Sequence, residues 1–575
     1  MKIVYSIVFV LCLSLALPNT VRAQAEKSSQ SVSELYDLMN QYAADFGSLR
    51  RYYFIGSSPE RRTRFTAFYK QYLKKLEQFN FNQLSVNGQV DYLLTKAKID
   101  SDLYRLAIEE SDAKQIESWV NFGTYIYTLE KERRRGKQLD WKQVANQLNE
   151  ISTSLAKISI QLETEAPVFT RNVISNAQGT LQGYEQALKS VYDFYNGYDP
   201  DFSWWVEKPY LALKSQLKDY SKLLEKRIDA ATLPPDDGSG IIGNPIGEKE
   251  LRRLLKNEFI YYSPEELVEI AMKEFAWCDK ELLKASQEMG FGNDWKAAQE
   301  KVKESYVPQG EQPQAMLKLY DESVAFLKKH DLLTIPPMAE ETWRMTMIPP
   351  ERQLISPFFL GGEVLQISYP TDAMEHQDKL MSMRGNNPHF SRATVHHELI
   401  AGHHLQRFMN SRYKPYRNFN TPFWTEGWAL YWELTLWDMD FPQSPEDRIG
   451  MLFWRMHRCA RIIFSLNYHL GKWTPQQCID YLVDRVGHER ANAEGEVRRS
   501  FTAGYGPLYQ LAYMTGGLQF LSLRNELVNS KKMTLKEFHD AVLRENSMPV
   551  ELLRAILLNQ PLKKNYKTSW KFYER

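Results

Sequence analysis

The residue types that could do chemistry together are concentrated between His396 and Glu433. The run His397-Glu398-Leu399-Ile400-Ala401-Gly402-His403-His404 is close to the H-E-x-x-H zinc-site signature, and Glu426 follows in Thr425-Glu426-Gly427-Trp428. Two imidazoles and a carboxylate make a three-ligand metal site, and Glu398 is left over as a base for water. Four of the chain's 11 histidines fall within residues 396–404, bracketing a glutamate and a glycine, which sets them apart from histidines scattered through a core.

In the standard signature the histidines stand four apart and share a helix face. Here Ala401 occupies the place of the second histidine. On an ideal helix His397 and His403 point roughly 120° apart, whereas His397 and His404 share a face but lie about 10 Å apart along the axis. Neither pair chelates comfortably from a straight helix. We therefore expect a break or bulge at Ala401 and Gly402, with glycine adopting backbone geometry that other residues resist. The spacing alone leaves both His403 and His404 open as the second ligand. His396 falls on a different face and is expected to support the site or the core.

Glu426 follows His403 by 23 residues, enough to finish one helix, turn and enter an antiparallel partner. Residues 425–433 (TEGWALYWE) read as helix, with Trp428 and Tyr431 spaced to pack and Glu433 returning to the face of Glu426, where it can support a ligand.

HHELIAGHHLQ followed by TEGWALYWE resembles the bacterial domain of unknown function 885 family, whose pattern is H-E-x-x-P-G-H-H-x-Q and then E-G-W-x-x-Y. That family is grouped with zinc metallopeptidases of the angiotensin-converting-enzyme and thimet-oligopeptidase type. The resemblance implies one Zn²⁺ held by His397, His403 and Glu426, with Glu398 as catalytic base and His404 and Gln406 as accompanying residues. Ala401 stands where the pattern has proline. Pro245-Ile246-Gly247-Glu248 and Ser263-Pro264-Glu265-Glu266-Leu267 are similar to the family's middle section. Arg499 with Tyr513-Met514-Thr515-Gly516 is similar to its late R…Y-x-x-G element, although residues 503–510 (AGYGPLYQ) replace the usual P-G-Q-A.

This donor set implies water activation. Zinc with three protein ligands keeps a fourth position for water and brings its pKa towards neutrality, and Glu398 is placed to take the proton. Charge developing on an attacked amide oxygen calls for a donor from elsewhere in the chain. Tyr513 is the candidate the resemblance favours, with Tyr505 and Tyr509 beside it; Arg498 and Arg499 are candidates for a substrate carboxylate or for structural ion pairs. Two histidines and a carboxylate also suit Fe²⁺.

The elements that must position these groups read as helical almost throughout. Ser263 with Glu266, Thr474 with Gln477 and Thr534 with Glu537 are capping pairs, and residues 32–42 and 251–255 bring apolar side chains round at helical spacing. We expect a mainly α, two-lobed metallopeptidase-like fold with a deep cleft. Residues 24–233 would form an amino-terminal helical lobe and residues 241–575 a carboxy-terminal catalytic lobe, the two acting as one unit across the turn-rich loop at 234–240. Residues 344–369 mix proline, glycine and β-prone runs and predict a small sheet ahead of the metal helix, either an edge for an extended peptide or a plain hairpin.

Residues 1–23 read as a secretory signal, with Lys2, an apolar run over residues 3–17 and a small-residue site at Ala23. Export across the inner membrane to the periplasm or the exterior follows, with no stable membrane span after cleavage. Cys12 lies inside the apolar run and is poorly placed for a lipid anchor. Losing Lys2 and Arg22 takes the formal charge from +1 to −1, which favours neither nucleic acid nor an anionic surface as partner. The one basic cluster, residues 131–137 (KERRRGK), reads as a solvated helix end. Cys278, Cys459 and Cys478 form no disulfide framework, at most one Cys459–Cys478 pair.

The leading expectation is a secreted zinc peptidase acting on short peptides. A metal-dependent amidohydrolase on cell-wall fragments and a non-catalytic envelope binding protein are the alternatives. The sequence does not specify an oligomeric state.

Overall fold

The computed structural model describes residues 33–165, 167–233, 236–353, 360–368, 370–417 and 419–573. The expected signal at 1–23 lies outside them, as do Pro234, Pro235 and Tyr369. Among the described residues no helix is long and apolar enough to cross a membrane.

The fold is mainly helical, and the capping pairs explain where several helices begin. Ser263, Thr474 and Thr534 each accept from the backbone N–H three residues on, and the Glu or Gln there reaches back. Each box satisfies two of the amide groups that a helix start leaves without partners.

Apolar burial falls into two clusters. Ile55 and residues from 116–224 form one, built largely by α3 (Trp141–Thr164), α4 (Arg171–Tyr195) and α5 (Pro200–Glu225), after α1 (Tyr36–Tyr52) and α2 (Val86–Val120). Val144, Leu148, Ile151 and Leu155 line one stripe of α3, the spacing expected of an amphipathic helix packed on its neighbours. The larger cluster joins apolar residues from 35–106 with those from 241–572. At its centre are α6 (Pro264–Glu288), α7 (Pro388–Glu398), α8 (His403–Asn410), α9 (Pro422–Asp438), α10 (Pro445–His469), α11 (Arg490–Thr502) and α12 (Tyr509–Arg524).

Helix α9 is buried on nearly every side from Phe423 to Leu436. It packs closely against α12 because glycines face each other there: a methyl on Gly427 would lie 2.6 Å from the Gly516 Cα, and one on Gly516 would lie 2.3 Å from the Phe423 carbonyl oxygen. Backbones at that separation leave no room for a side chain.

The region ahead of α7 forms a two-stranded sheet, β1 (Arg344–Met347) and β2 (Val364–Ile367). The strands are parallel, Arg344 opposite Val364 and Met347 opposite Ile367, which excludes the plain hairpin. A hairpin turn joins only antiparallel strands; a parallel pair needs a longer crossover, supplied here by residues 348–363. Leu360 bridges Gln366 on the other edge of β2, leaving β1 the more exposed strand.

The basic cluster has local partners. Lys131 pairs with Glu60, Lys137 with Glu132, and Arg133 and Arg134 with the buried Glu130. Cys278, Cys459 and Cys478 are buried free thiols, so the Cys459–Cys478 pair does not form; Cys478 Sγ donates weakly to the Phe464 carbonyl at 3.7 Å.

A candidate metal centre where a helix breaks

The helix that begins at Pro388 ends at Glu398, and a new one starts at His403. Between them Leu399 has φ −109° and ψ −109°, and Gly402 has φ −84° and ψ −132°. Glycine is required here for a different reason from the one expected. The Gly402 φ is ordinary for any residue, but an added Cβ would lie 1.8 Å from the His397 carbonyl oxygen and 2.6 Å from that of His396. The chain folds back on itself, and Gly402 is where it touches.

Hydrogen bonds from α9 hold the break. Trp428 Nε1 donates to the Ala401 carbonyl at 2.9 Å, and Gln406 Nε2 donates to the Trp424 carbonyl at 3.2 Å. Gly402 N–H returns to the His396 carbonyl at 2.9 Å. The E-G-W and H-x-Q residues thus tie together the segments that carry the two histidines and Glu426.

The result is convergence. His397, His403 and Glu426 each offer a ligand atom, and these atoms lie within 4.8 Å of one another, all buried. Glu426 Oε2 is 3.2 Å from His403 Nε2 and 3.6 Å from His397 Nε2. His404 is placed elsewhere: its Nε2 donates to the Ala339 carbonyl at 2.7 Å. Of the two histidines that spacing left open, the structure brings His403 to the cluster. His396 is fully buried beside the Phe441 ring, and burial lowers its pKa to about 4.

Glu433 supports the cluster as its seven-residue offset suggested. His397 Nδ1 donates to Glu433 Oε1 at 2.6 Å, which fixes the tautomer and leaves the Nε2 lone pair for a cation. Arg458 of α10 approaches the same carboxylate oxygen at 3.3 Å. Burial works against protonating His397, yet the Glu426 and Glu433 carboxylates carry its pKa up to about 9. Glu426 is opposed by burial too, but His403 and His397 hold it well below the carboxylate range. The carboxylates and the imidazoles thus each favour the other's charged form.

That donor set fits a metal ion. Glu426 Oε2 is buried with no hydrogen-bond donor and faces two imidazole nitrogens, an expensive arrangement for a carboxylate without a cation. Two imidazoles and a carboxylate are the ligand types of a catalytic zinc site with one position open.

Glu398, the last residue of its helix, is buried beside this cluster. Burial raises its carboxyl above the usual value, with His397 and His403 acting in the opposite direction. Gly361 lies against it: a methyl there would sit 2.1 Å from Glu398 Oε2, so only glycine lets the chain leading into β2 pass over this carboxylate.

On the other side Tyr509 OH donates to Glu426 Oε1 at 2.7 Å, and Tyr513 OH donates to Tyr509 OH at 3.2 Å. Tyr513 is buried behind Tyr509, its ring nearly parallel to that of His397 with centroids 6.1 Å apart. Tyr505 packs on Tyr509. Arg499 is buried and paired with Glu496 at 2.9 Å, and Arg498 donates to the Ser239 and Gly240 carbonyls; neither is brought to the cluster.

A cavity of about 1050 Å³ reaches the centre. Thr425, Glu426 and Tyr509 line one side, and Tyr42, Phe46 and Lys98 of α1 and α2 line another. Sequence reasoning passed over three of its polar residues, Glu258, Asn257 and Arg407. Arg407 had a signal, since it lies one helical turn beyond His403.

Residues 48–557 match the family described as "Bacterial protein of unknown function (DUF885)". No curated protein matches the sequence. Among solved structures, a "putative lipoprotein of unknown function" from Shewanella oneidensis superposes with a TM-score of 0.66 at 18% identity, covering 92% of this chain and 100% of that one. A "putative lipoprotein" from Colwellia psychrerythraea gives 0.57 at 17% identity, covering 91% and 97%. At such identities the likeness is one of fold. The family match spans most of the sequence and includes every residue of the cluster, and the chain belongs to the DUF885 family of bacterial proteins of unknown function.

Proposed function

We propose that this protein is an exported, zinc-dependent peptidase that hydrolyses short peptides in the cavity beside His397, His403 and Glu426. The observation that carries the reading is the convergence of those three buried side chains next to a fourth, Glu398, that is not among the converging ligand atoms. Helices from residues 36–120 on one wall and the histidine- and carboxylate-bearing helices on the other make the sides of a cavity that would serve as the cleft. The description of the two structural neighbours as lipoproteins supports an envelope location.

A zinc ion held here would supply a Lewis acid and a water of near-neutral pKa. Glu398, its carboxyl raised by burial, would be the base beside such a site that accepts a proton from an attacking water and hands it to the leaving amine. Glu433 keeps His397 in the Nδ1–H tautomer throughout. Tyr509 faces the cavity and holds Glu426 in orientation, and Tyr513 acts through its hydroxyl contact with Tyr509.

The test is metal content and turnover together. Purified protein should carry about one zinc per chain, and Glu398→Gln should keep that metal while losing roughly 10²- to 10⁴-fold in peptide hydrolysis. A metal-free wild type, or a Glu398→Gln variant as active as wild type, would overturn the reading.

A further inference from the structure

The cavity contains a carboxylate that the proposed chemistry does not use. Glu258 lines it together with Glu426. Its Oε2 accepts from Thr421 Oγ1 at 2.6 Å, and among the described residues it belongs to no ion pair. Four buried carboxylates in this protein are answered by arginines, Glu274 by Arg455, Glu433 by Arg458, Glu496 by Arg461 and Glu545 by Arg417, whereas Glu551 is answered by the Tyr566 and Thr568 hydroxyls. Burial raises Glu258 to about 7, with only the Thr421 hydroxyl opposing. A half-buried carboxylate at a cavity wall, bonded to a hydroxyl and in no ion pair among the described residues, is poised for a cation that arrives with the ligand.

Its position says how far from Glu426 that cation would sit. Thr421 caps the helix that carries Glu426 five residues later, an axial offset of about 7.5 Å. Two residues of extended chain span about 7 Å. We propose that Glu258 anchors the free amino terminus of the substrate about two residues upstream of the reacting carbonyl, so that the site favours unblocked peptides and releases dipeptides. This rests on the peptidase reading above. Arg50 and Arg407 also line the cavity and would meet the opposite charge of a short zwitterionic peptide, whereas Lys98 there is paired with Asp102 at 3.8 Å.

The experiment compares a tripeptide amide bearing a free amino terminus with its N-acetylated form, on zinc-loaded wild type and on Glu258→Gln, which preserves the acceptor for Thr421. Wild type should cleave the free peptide roughly 10- to 100-fold better in kcat/KM, chiefly through KM, and release its first two residues. Glu258→Gln should lose that preference and leave the acetylated peptide unchanged. If Glu398→Gln abolishes cleavage yet wild type treats both peptides alike, the anchor is wrong and the peptidase reading stands. If nothing is cleaved, calorimetric binding of the same pair decides the anchor alone. Tighter binding of the free amine that disappears in Glu258→Gln supports it, and equal or undetectable binding overturns it.

Discussion

His397 and His403 reach one point from a chain that stops being helical between them, whereas Glu426 and Glu433 reach the same place from an unbroken helix. The two sides are held differently. On the broken side the constraints are space and backbone hydrogen bonds: Gly402 against the His397 carbonyl, Trp428 Nε1 on the Ala401 carbonyl, and Gly361 over Glu398. On the continuous side they are charges, Glu433 between His397 and Arg458, with Arg461 of the same helix gripping Glu496. The histidines of the broken side should therefore be displaced when volume is added at Gly402, and the carboxylates of the continuous side, whose helix is itself close-packed at Gly427, when charge is removed behind them.

The largest effect should come from Gly402→Ala. Its methyl has no place 1.8 Å from a carbonyl oxygen, so either the break opens or helix α8 shifts. We expect loss of stoichiometric zinc by elemental analysis and a stability cost of about 3 kcal/mol in urea unfolding. Retention of one zinc with an unchanged unfolding midpoint would show that the break does not rest on this contact.

Next comes the comparison of adjacent histidines. His403→Ala should abolish zinc binding, because it removes one of three ligands. His404→Ala should retain one zinc and cost about 1–3 kcal/mol through the unpaired Ala339 carbonyl. The reverse pattern would exchange their roles.

How much of this was legible in sequence follows from the same contrast. Residue type and spacing identified His397, Glu398 and Glu426, and seven residues on a straight helix placed Glu433, because such a helix has one geometry. The capping boxes were legible because each is closed within four residues. The break was only half legible. Spacing required one, but its form depends on an indole 27 residues away and on space around Gly402. Arg455, Arg458 and Arg461 escaped notice because their carboxylate partners come from α6, α9 and α11. The parallel sheet was hidden in the same way, by a partner strand across a 16-residue crossover.

On the continuous side, Glu433→Gln keeps the shape and removes the charge behind His397. Zinc affinity should fall roughly 10- to 100-fold in a chelator competition, with the fold intact. An unchanged affinity would mean that the tautomer is set without Glu433.

The most gradual effect, spread over more than two pH units, is a pH dependence that the charge-held side should show. Burial alone would raise Glu496, but Arg461 and Arg499 hold it at about 2 against an ordinary 4.5. A depressed carboxylate contributes stability that is fully present above its unfolded value and is lost as pH falls through the folded one. The window here is thus from about pH 4.5 down to about pH 2, with a slope of at most about 1.4 kcal/mol per pH unit from this group. Glu496→Gln removes the titration, so it should be less stable than wild type at pH 7, with the gap narrowing steadily below pH 4.5 in chemical unfolding. Gly402→Ala leaves Glu496 in place, so adding Glu496→Gln to it should show the same narrowing on top of the Gly402→Ala deficit. A Glu496→Gln gap that did not change with pH would mean that its buried arginine pairs stabilise through packing, and the division between a side held by space and a side held by charge would lose its basis.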